Sequence, residues 1–251
     1  MNIDNVISSA ASRLADFEAQ TRGVPYERKG VLFSEMLFFV AAVAPLRPAR
    51  IVESGRARGQ STEILARCFP NTEIVSIEFD PASPDVPVAA ERLKPFANVR
   101  QLFGDAMVLA QDWVRPGDVV LIDGPKGFRS LRLALNLLRD RRPAAVFLHD
   151  VGVATDERAF LEAHVPRAIY SDAPAFVDRF AVLDQGRSEL IDKAVADVAT
   201  DKAGTRRGYG YTLGCITYDA NAPYTRILLQ LALAGFMQRM RGSMAKRRSA
   251  A

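Results

Sequence analysis

The sequence predicts an α/β protein with a doubly wound, mostly parallel sheet, N-terminal helices before it and a C-terminal helix after it. Between residues 49 and 150, short apolar runs alternate five times with helix-like segments, as in sheets whose parallel strands are joined by right-handed helical crossovers. The run Val119–Ile122 is apolar throughout, as expected for a strand covered on both faces. Hydrophobic residues make up 49% of the 251 residues, which is enough for a large core and argues against disorder.

The predicted elements follow one another in a regular order. Two helices come first, over residues 2–20 and Gly30–Ala44, and the prolines at positions 45 and 48 end the second. The predicted strands are Ile51-Val52, Glu73–Ile77, Asn98–Leu102, Val119–Ile122 and Ala144–Leu148. The helices between them are Thr62–Phe69, a segment ending at Leu93, Ala106–Trp113 and Ser130–Arg139. This succession is typical of a Rossmann-like fold.

The last third of the chain has weaker patterns. Helices are predicted over Asp156–Ala163, Pro174–Leu183 and 222–241, and the alternating segment Tyr209–Tyr218 predicts a strand. The segment Gln185–Gly208 is polar and charged, which predicts a loop or lid.

The net charge of +4 and the pI of about 9.2 come from one end of the chain. The last fourteen residues contain no acid and five cations: Arg239, Arg241, Lys246, Arg247 and Arg248. Because the rest of the chain has a slight excess of acids, we predict no nucleic-acid partner. The basic end after an apolar helix has three interpretations: weak contact with an anionic membrane surface, packing on a second subunit of a homo-oligomer, or a solvated tail.

The cysteines and the hydrophobic pattern of the chain bear on metal binding, disulfides and location in the cell. Cys68 and Cys215 fit neither a metal spacing nor a disulfide framework. The sequence shows no charged-then-apolar N-terminal pattern and no uncharged run of about 18 apolar residues. A soluble cytoplasmic protein is therefore expected.

A glycine turn joins the first predicted strand to the next helix. Glu53, Gly55 and Gly59 form the pattern acid-x-Gly-x-x-x-Gly, and parallel α/β sheets bind nucleotide-like ligands at such turns. The carboxylate is a candidate partner for a ligand ammonium, and the glycines let a ligand approach the backbone closely. A dinucleotide site requires glycine where Ala57 and Gln60 stand, which disfavours a nicotinamide dehydrogenase.

A second acid follows the next strand. Glu78 stands where an acidic side chain hydrogen-bonds the ribose hydroxyls of a ligand in the neighbouring crevice, and Asp80 is the alternative. These two motifs are followed in order by Gly104-Asp105-Ala106 and by an apolar strand ending in Asp123.

Over residues 50 to 151, this ordered set resembles the class I S-adenosylmethionine-dependent methyltransferases. The resemblance implies that Glu53, Gly55 and Gly59 hold the methionine part of the cofactor, and that Glu78 holds the ribose. Asp105 and Ala106 would lie along the adenine. Ser61 and Asp123 complete the predicted cofactor-binding set.

Charged residues after the fourth and fifth strands point to a reaction centre. Asp123 and Lys126 follow one strand, and His149 and Asp150 follow its neighbour. Asp123 and Asp150 would make an oxygen site for Mg²⁺ or Ca²⁺. Lys126 could act as the base toward a substrate hydroxyl if burial or the metal lowers its pKa. His149 is the other candidate base, with a hydrogen-bonded supporting role as its alternative.

This constellation is similar to that of the catechol-type O-methyltransferases, in which Asp123, Lys126 and Asp150 would have counterparts. Val151 replaces the asparagine expected after the second acid, which removes one metal ligand. The His-Asp pair also resembles the cephalosporin-hydroxylase and sugar O-methyltransferase branch.

The resemblance implies methylation of a hydroxyl on a small molecule, with or without Mg²⁺. It also implies a helical cap over 1–48, a methyltransferase domain over 49–220, and a C-terminal helix and basic tail over 221–251. The alternative from another class is a non-catalytic binding or assembly module. Such a module would dock a partner or a membrane through its basic C-terminal helix.

Overall fold

The computed structural model describes residues 1–27, 30–185 and 212–249, except for the side chains of 239 and 241–249. The strands in this part of the chain are β1 (Arg50–Ser54), β2 (Glu73–Glu78), β3 (Val99–Phe103), β4 (Val119–Ile122), β5 (Ala145–Leu148), β6 (Ile169–Tyr170) and β7 (Gly214–Thr217). The helices are α1 (Ile3–Thr21), α2 (Phe33–Val43), α3 (Gln60–Cys68), α4 (Asp85–Leu93), α5 (Ala106–Trp113), α6 (Phe128–Asp140), α7 (Asp156–His164), α8 (Pro174–Phe180) and α9 (Tyr224–Ser249). Short 3₁₀ turns follow α2 (Ala44–Leu46) and α8 (Ala181–Asp184).

The seven strands form one sheet in the order β3-β2-β1-β4-β5-β7-β6. Strands β1 to β5 are parallel, whereas β7 is antiparallel to both of its neighbours, β5 and β6. The strand order reverses between β1 and β4, and open parallel sheets bind ligands outside the carboxyl ends of the strands at such a reversal. The predicted fold class, a Rossmann-like doubly wound sheet, is confirmed.

Successive residues of each strand pack on opposite faces of the sheet. Ile51, Val119 and Leu121 belong to the core on the face covered by α1, α2, α3 and α8. Val52, Val120 and Ile122 belong to the core on the face covered by α5, α6, α7 and α9. Both faces of β4 are therefore buried, which explains why the sequence Val119–Ile122 is apolar throughout.

Helix α2 is buried on all sides, although its sequence predicts only one broad apolar face. All eleven residues of Phe33–Val43 are buried. Its outer side packs on α1, and its inner side reaches the sheet, where Phe39 and Phe147 have ring centroids 4.5 Å apart. The predicted cap over 1–48 therefore shares a core with the sheet.

The last third differs from prediction at β6, β7 and α9. The two-residue strand β6 was not predicted, and the described part of the strand predicted over Tyr209–Tyr218, from residue 212 onward, forms the strand Gly214–Thr217. The predicted lid over Gln185–Gly208 lies outside the described residues from 186 onward. Helix α9 continues to Ser249 instead of ending at 241, so the basic segment is helical backbone. No helix in the described ranges is both long and apolar enough to span a membrane.

Candidate functional site

The glycine turn after β1 packs directly on the loop after β4. Gly55 has φ +89°, and a Cβ added to it would lie 2.7 Å from the nitrogen of Gly124 and 2.8 Å from the carbonyl carbon of Asp123. Only glycine both adopts this positive φ readily and lacks the Cβ that would clash with these backbone atoms. Gly59 also has a positive φ, of +78°, but a Cβ there would face Leu93 of α4 at 3.3 Å. Gly55 thus brings the glycine turn, predicted for the cofactor, against the loop that carries Asp123, predicted for the reaction centre. Gly59 instead lets α4 pack closely on the turn.

The buried side chain of Glu53 stabilises this turn through hydrogen bonds. Its side chain has no exposed surface, and its carboxylate accepts hydrogen bonds from the hydroxyls of Ser61 (2.5 Å), Ser76 (2.7 Å) and Thr62. Burial raises the pKa of Glu53, against the three hydroxyl donors, which favour the ionised form. Glu53 and Ser61 thus stabilise the turn in this structure, and their pairing with a ligand stays a prediction.

Glu78 lies at the carboxyl end of β2 and is partly exposed. One carboxylate oxygen accepts from the backbone N–H of Ala57 in the turn (2.8 Å), and the other accepts from that of Phe79 (2.9 Å). A carboxylate oxygen can accept more than one hydrogen bond, so each keeps capacity for a ligand hydroxyl. The alternative acid, Asp80, accepts from Ala82 within its own loop.

Two aromatic side chains flank Glu78 and were not predicted as site residues. Phe79 follows β2 and is 69% exposed, and Phe103 ends the neighbouring β3 and is 43% exposed. Their only sequence signal is their place beside the strand ends. Exposed rings next to an acid form a surface on which a planar base can stack.

Arg56 and Arg58 lie in the glycine turn, and the side chain of Arg56 is buried. It is 2% exposed, donates to the carbonyl of Ser76 (2.7 Å), and places its guanidinium 4.8 Å from the ring centroid of Phe103. Arg58, by contrast, pairs with Glu27 at 2.6 Å. Both arginines therefore hold the turn in place.

The third motif predicted for the cofactor site lies at the end of β3. Asp105 caps helix α5 by accepting from the N–H of Met107 (2.9 Å), and Arg129 lies 3.6 Å from it. Its side chain is 39% exposed, whereas Ala106 is buried. Asp105 can therefore still reach a ligand, and Ala106 contributes mainly to packing.

A charged cluster forms where β4 and β5 end. The ammonium nitrogen of Lys126 lies 2.5 Å from Oδ1 of Asp123 and 2.6 Å from Oδ2 of Asp150. Nδ1 of His149 lies 2.6 Å from the same oxygen of Asp123. Asp150 has a φ of +63°, and such backbone conformations in residues other than glycine concentrate at functional sites. The structure thus brings together all four residues predicted for the reaction centre.

The electrostatics of this cluster bear on the predicted base roles of Lys126 and His149. Burial would lower the pKa of Lys126, but the carboxylates of Asp123 and Asp150 outweigh it and raise the pKa. Burial likewise opposes the charged form of His149, yet Asp123 and Glu35 raise its pKa well above the ordinary value. The neighbouring carboxylates thus favour the cationic form of both side chains, which opposes the neutral base that the sequence predicts.

Asp123 is the anion to which both cations bind. Burial would raise its pKa, but the charges and hydrogen bonds of His149 and Lys126 prevail and lower the pKa to about 2. It is therefore ionised throughout the neutral range and holds the two cations in place.

Glu35 completes the cluster from the N-terminal layer and was missed in the sequence. It is 1% exposed, accepts from the N–H of Leu32 (3.0 Å), and has Oε2 3.4 Å from Nε2 of His149. Burial raises its pKa to about 7, while His149 lowers it. Its sequence signal is that of a helix-capping acid, because nothing near it in the chain indicates the distant histidine.

We expect Glu35 to make folding stability depend on pH. An acid whose folded-state pKa lies at about 7, against an ordinary 4.5, loses stability as the pH rises through that window. The loss is up to about 3 kcal/mol, and Glu35→Gln should lack it. Urea unfolding of both proteins at several pH values between 4.5 and 8 measures the difference. A difference between them that stays constant with pH would contradict the assignment.

The predicted divalent metal site does not fit this arrangement well. Asp123, His149 and Asp150 can offer ligand atoms within 4.8 Å of one another, but the Lys126 ammonium lies between the two carboxylates. The ring nitrogens of His149 face Asp123 and Glu35. Val151, at the expected asparagine position, is buried in the core. Mg²⁺ prefers octahedral oxygen ligands, and this donor set falls short of them.

Comparison with known proteins gave similarity to solved structures only. No protein-family model matches the sequence, and no curated protein matches it. The O-methyltransferase TomG from Streptomyces achromogenes, in complex with SAM, is 21% identical over 87% of this chain and 92% of its own, with a TM-score of 0.43. An O-methyltransferase from Bacillus cereus in complex with SAH is 18% identical over 84% and 90%, with a TM-score of 0.46. An SAH-bound methyltransferase from Podospora anserina is 15% identical over 82% and 87%, also with a TM-score of 0.46.

Proposed function

We propose that this protein is an S-adenosylmethionine-dependent methyltransferase that methylates a hydroxyl group of a small molecule. The observation that carries the proposal is the contact of the Gly55 backbone with Asp123 and Gly124. This contact supports the proposal because it joins the turn beside Glu78 to the loop that carries Asp123 and Lys126, which we assign to the donor and the acceptor hydroxyl. Methyl transfer requires two reactants to be held in line, and two adjoining sites meet this requirement.

The crevice has groups that fit the nucleoside half of the donor. Glu78 is partly exposed at the end of β2 and retains acceptor capacity for ribose hydroxyls. Phe79 and Phe103 offer apolar rings for the adenine, with Asp105 at the next strand end. S-adenosylmethionine, when bound, supplies a methyl group on a positively charged sulfur.

The charged cluster fits the acceptor. Lys126 is half-exposed, held by two carboxylates and cationic. A hydroxyl that enters beside this ammonium has its own pKa lowered, because a nearby positive charge favours the oxyanion. Lys126 therefore replaces the predicted metal as the stabilising cation, and we propose catalysis without a divalent ion.

The proton of the hydroxyl requires an acceptor within the cluster. Asp150 is the more exposed of the two acids, with 36% of its side chain exposed against 11% for Asp123. We assign Asp150 as the group that receives the proton. His149 and Asp123 stay buried and position Lys126, and Glu35 in turn fixes the histidine ring.

Binding of S-adenosylhomocysteine, measured by calorimetry, tests the donor site. We expect Glu78→Ala to weaken this binding about tenfold or more, since a lost hydrogen bond to a charged group is worth roughly 1.5–3 kcal/mol. Glu91→Ala is the matched control, because Glu91 is a highly exposed acid on the next helix, α4. Equal affinities of the two variants would contradict the assigned site. Absence of binding to the unmodified protein would favour the non-catalytic binding module.

A further inference from the structure

Helix α9 has two apolar sides, of which only one is covered within the described residues. Ile227 and Leu231 are buried against the core of the second face, on α6. On the other side, five large apolar residues are between 45% and 69% exposed: Leu229, Leu233, Phe236, Met237 and Met240. Four of them are spaced by four, three and four residues, which aligns them along one side of a helix.

The charge of α9 indicates what covers this exposed stripe. The helix contains six arginine or lysine residues and no aspartate or glutamate, and five of the cations follow residue 238. A second copy of the same helix would offer no acid to these cations. An anionic membrane surface offers both an apolar layer for the stripe and negative charge for the basic end.

The position of α9 relates this stripe to the functional site. Gln238 donates to Asp156 in the first turn of α7 (2.7 Å), and a Cβ added at Gly235 would lie 3.4 Å from Phe128, where α6 begins. Helices α6 and α7 follow β4 and β5, so this part of α9 stands at the sheet edge that carries Lys126. The eleven residues after Gln238 continue the helix for about 16 Å.

We propose that α9 docks the protein on anionic membrane surfaces through the stripe Leu229–Met240 and the basic turns that follow it. The stripe enters the boundary between headgroups and acyl chains, and the basic turns bind the lipid phosphates. Docking would hold the carboxyl ends of β4 and β5, which lie beside Gly235 and Gln238, close to the membrane surface. The proposal rests on α9 alone and does not depend on the methyltransferase activity.

Co-sedimentation of the full-length protein with lipid vesicles tests the proposal. We expect binding to phosphatidylcholine vesicles that contain phosphatidylglycerol, weaker binding in high salt, and little binding to phosphatidylcholine alone. The double variant Leu233→Ser/Phe236→Ser should lower the partition coefficient about ten- to a hundredfold. The triple variant Lys246→Gln/Arg247→Gln/Arg248→Gln should lower it about a hundredfold.

The control is Val108→Ser, which removes a side chain that is 61% exposed on α5 and should leave vesicle binding unchanged. Circular dichroism of each variant checks that the helices remain folded. Equal binding to both vesicle types, or equal binding of the unmodified protein and both multiple variants, would overturn the proposal. So would a dimer that Leu233→Ser/Phe236→Ser dissociates and that binds no vesicles, because a second copy would then cover the stripe.

Discussion

Replacing Lys126 with methionine is expected to lower kcat for methyl transfer on the order of 10²- to 10³-fold, the usual effect of removing one oxyanion-stabilising group. Affinity for S-adenosylhomocysteine should change little, because Lys126 contacts Asp123 and Asp150 and not the nucleoside crevice. Methionine keeps the length of the side chain and removes its charge. Single-turnover rates with saturating donor measure the effect.

Two controls separate the lysine cation from a metal ion. Lys94→Met removes a lysine whose side chain is 74% exposed on the surface and should leave the rate unchanged. Turnover of the unmodified protein should be insensitive to EDTA. If EDTA instead abolishes turnover and Lys126→Met remains active, a divalent ion held by Asp123 and Asp150 is the cation, and the role assigned to Lys126 is wrong.

Replacing Gly55 with alanine is expected to lower the free energy of unfolding by about 2–4 kcal/mol. Part of this loss, about 1–2 kcal/mol, is the left-handed backbone, which disfavours any residue with a Cβ. The rest comes from contact of the new methyl group with backbone atoms of Asp123 and Gly124, which cannot move aside as a side chain can. Urea unfolding at fixed pH measures the loss.

Gly117→Ala is a closely matched control. Gly117 has φ +86°, against +89° for Gly55, but a Cβ added there meets nothing within 4 Å. The Gly117→Ala variant should therefore lose only the backbone part of the free energy of unfolding, about 1–2 kcal/mol. Equal losses at both positions would mean that the loop after β4 yields to the new methyl group, and that the two halves of the site are not rigidly joined.

The sheet was largely predictable because each central strand is a short apolar run between helical segments. Val119–Ile122 is the clearest example, since burial on both faces leaves no polar residue in the strand. Strand β6 was not predictable, because two residues carry no periodicity. The burial of α2 on all sides could not be predicted from its own sequence either, because it depends on the packing of α1 against the outer side of α2.

The site was predictable in its residues and less so in their roles. Strand ends gave Glu78, Asp123, Lys126, His149 and Asp150, because parallel strands bring their carboxyl ends to one edge. The protonation states could not be predicted without the distances between the side chains. Lys126 lies between two carboxylates, which raise its pKa, whereas the sequence suggested that burial or a metal would lower that pKa. Glu35 could not be predicted, since its partner His149 is more than a hundred residues away in the chain.

The burial of α2 has a consequence for synthesis on the ribosome. Its phenylalanines Phe38 and Phe39 pack on Phe147 of β5, and Phe38 also packs on Phe176 of α8. More than a hundred residues must be translated after α2 before these partners exist. Until then the largely apolar segment Phe33–Val43 lacks the partners that cover its inner side, and exposed hydrophobic surface of this kind makes incompletely folded chains prone to aggregate.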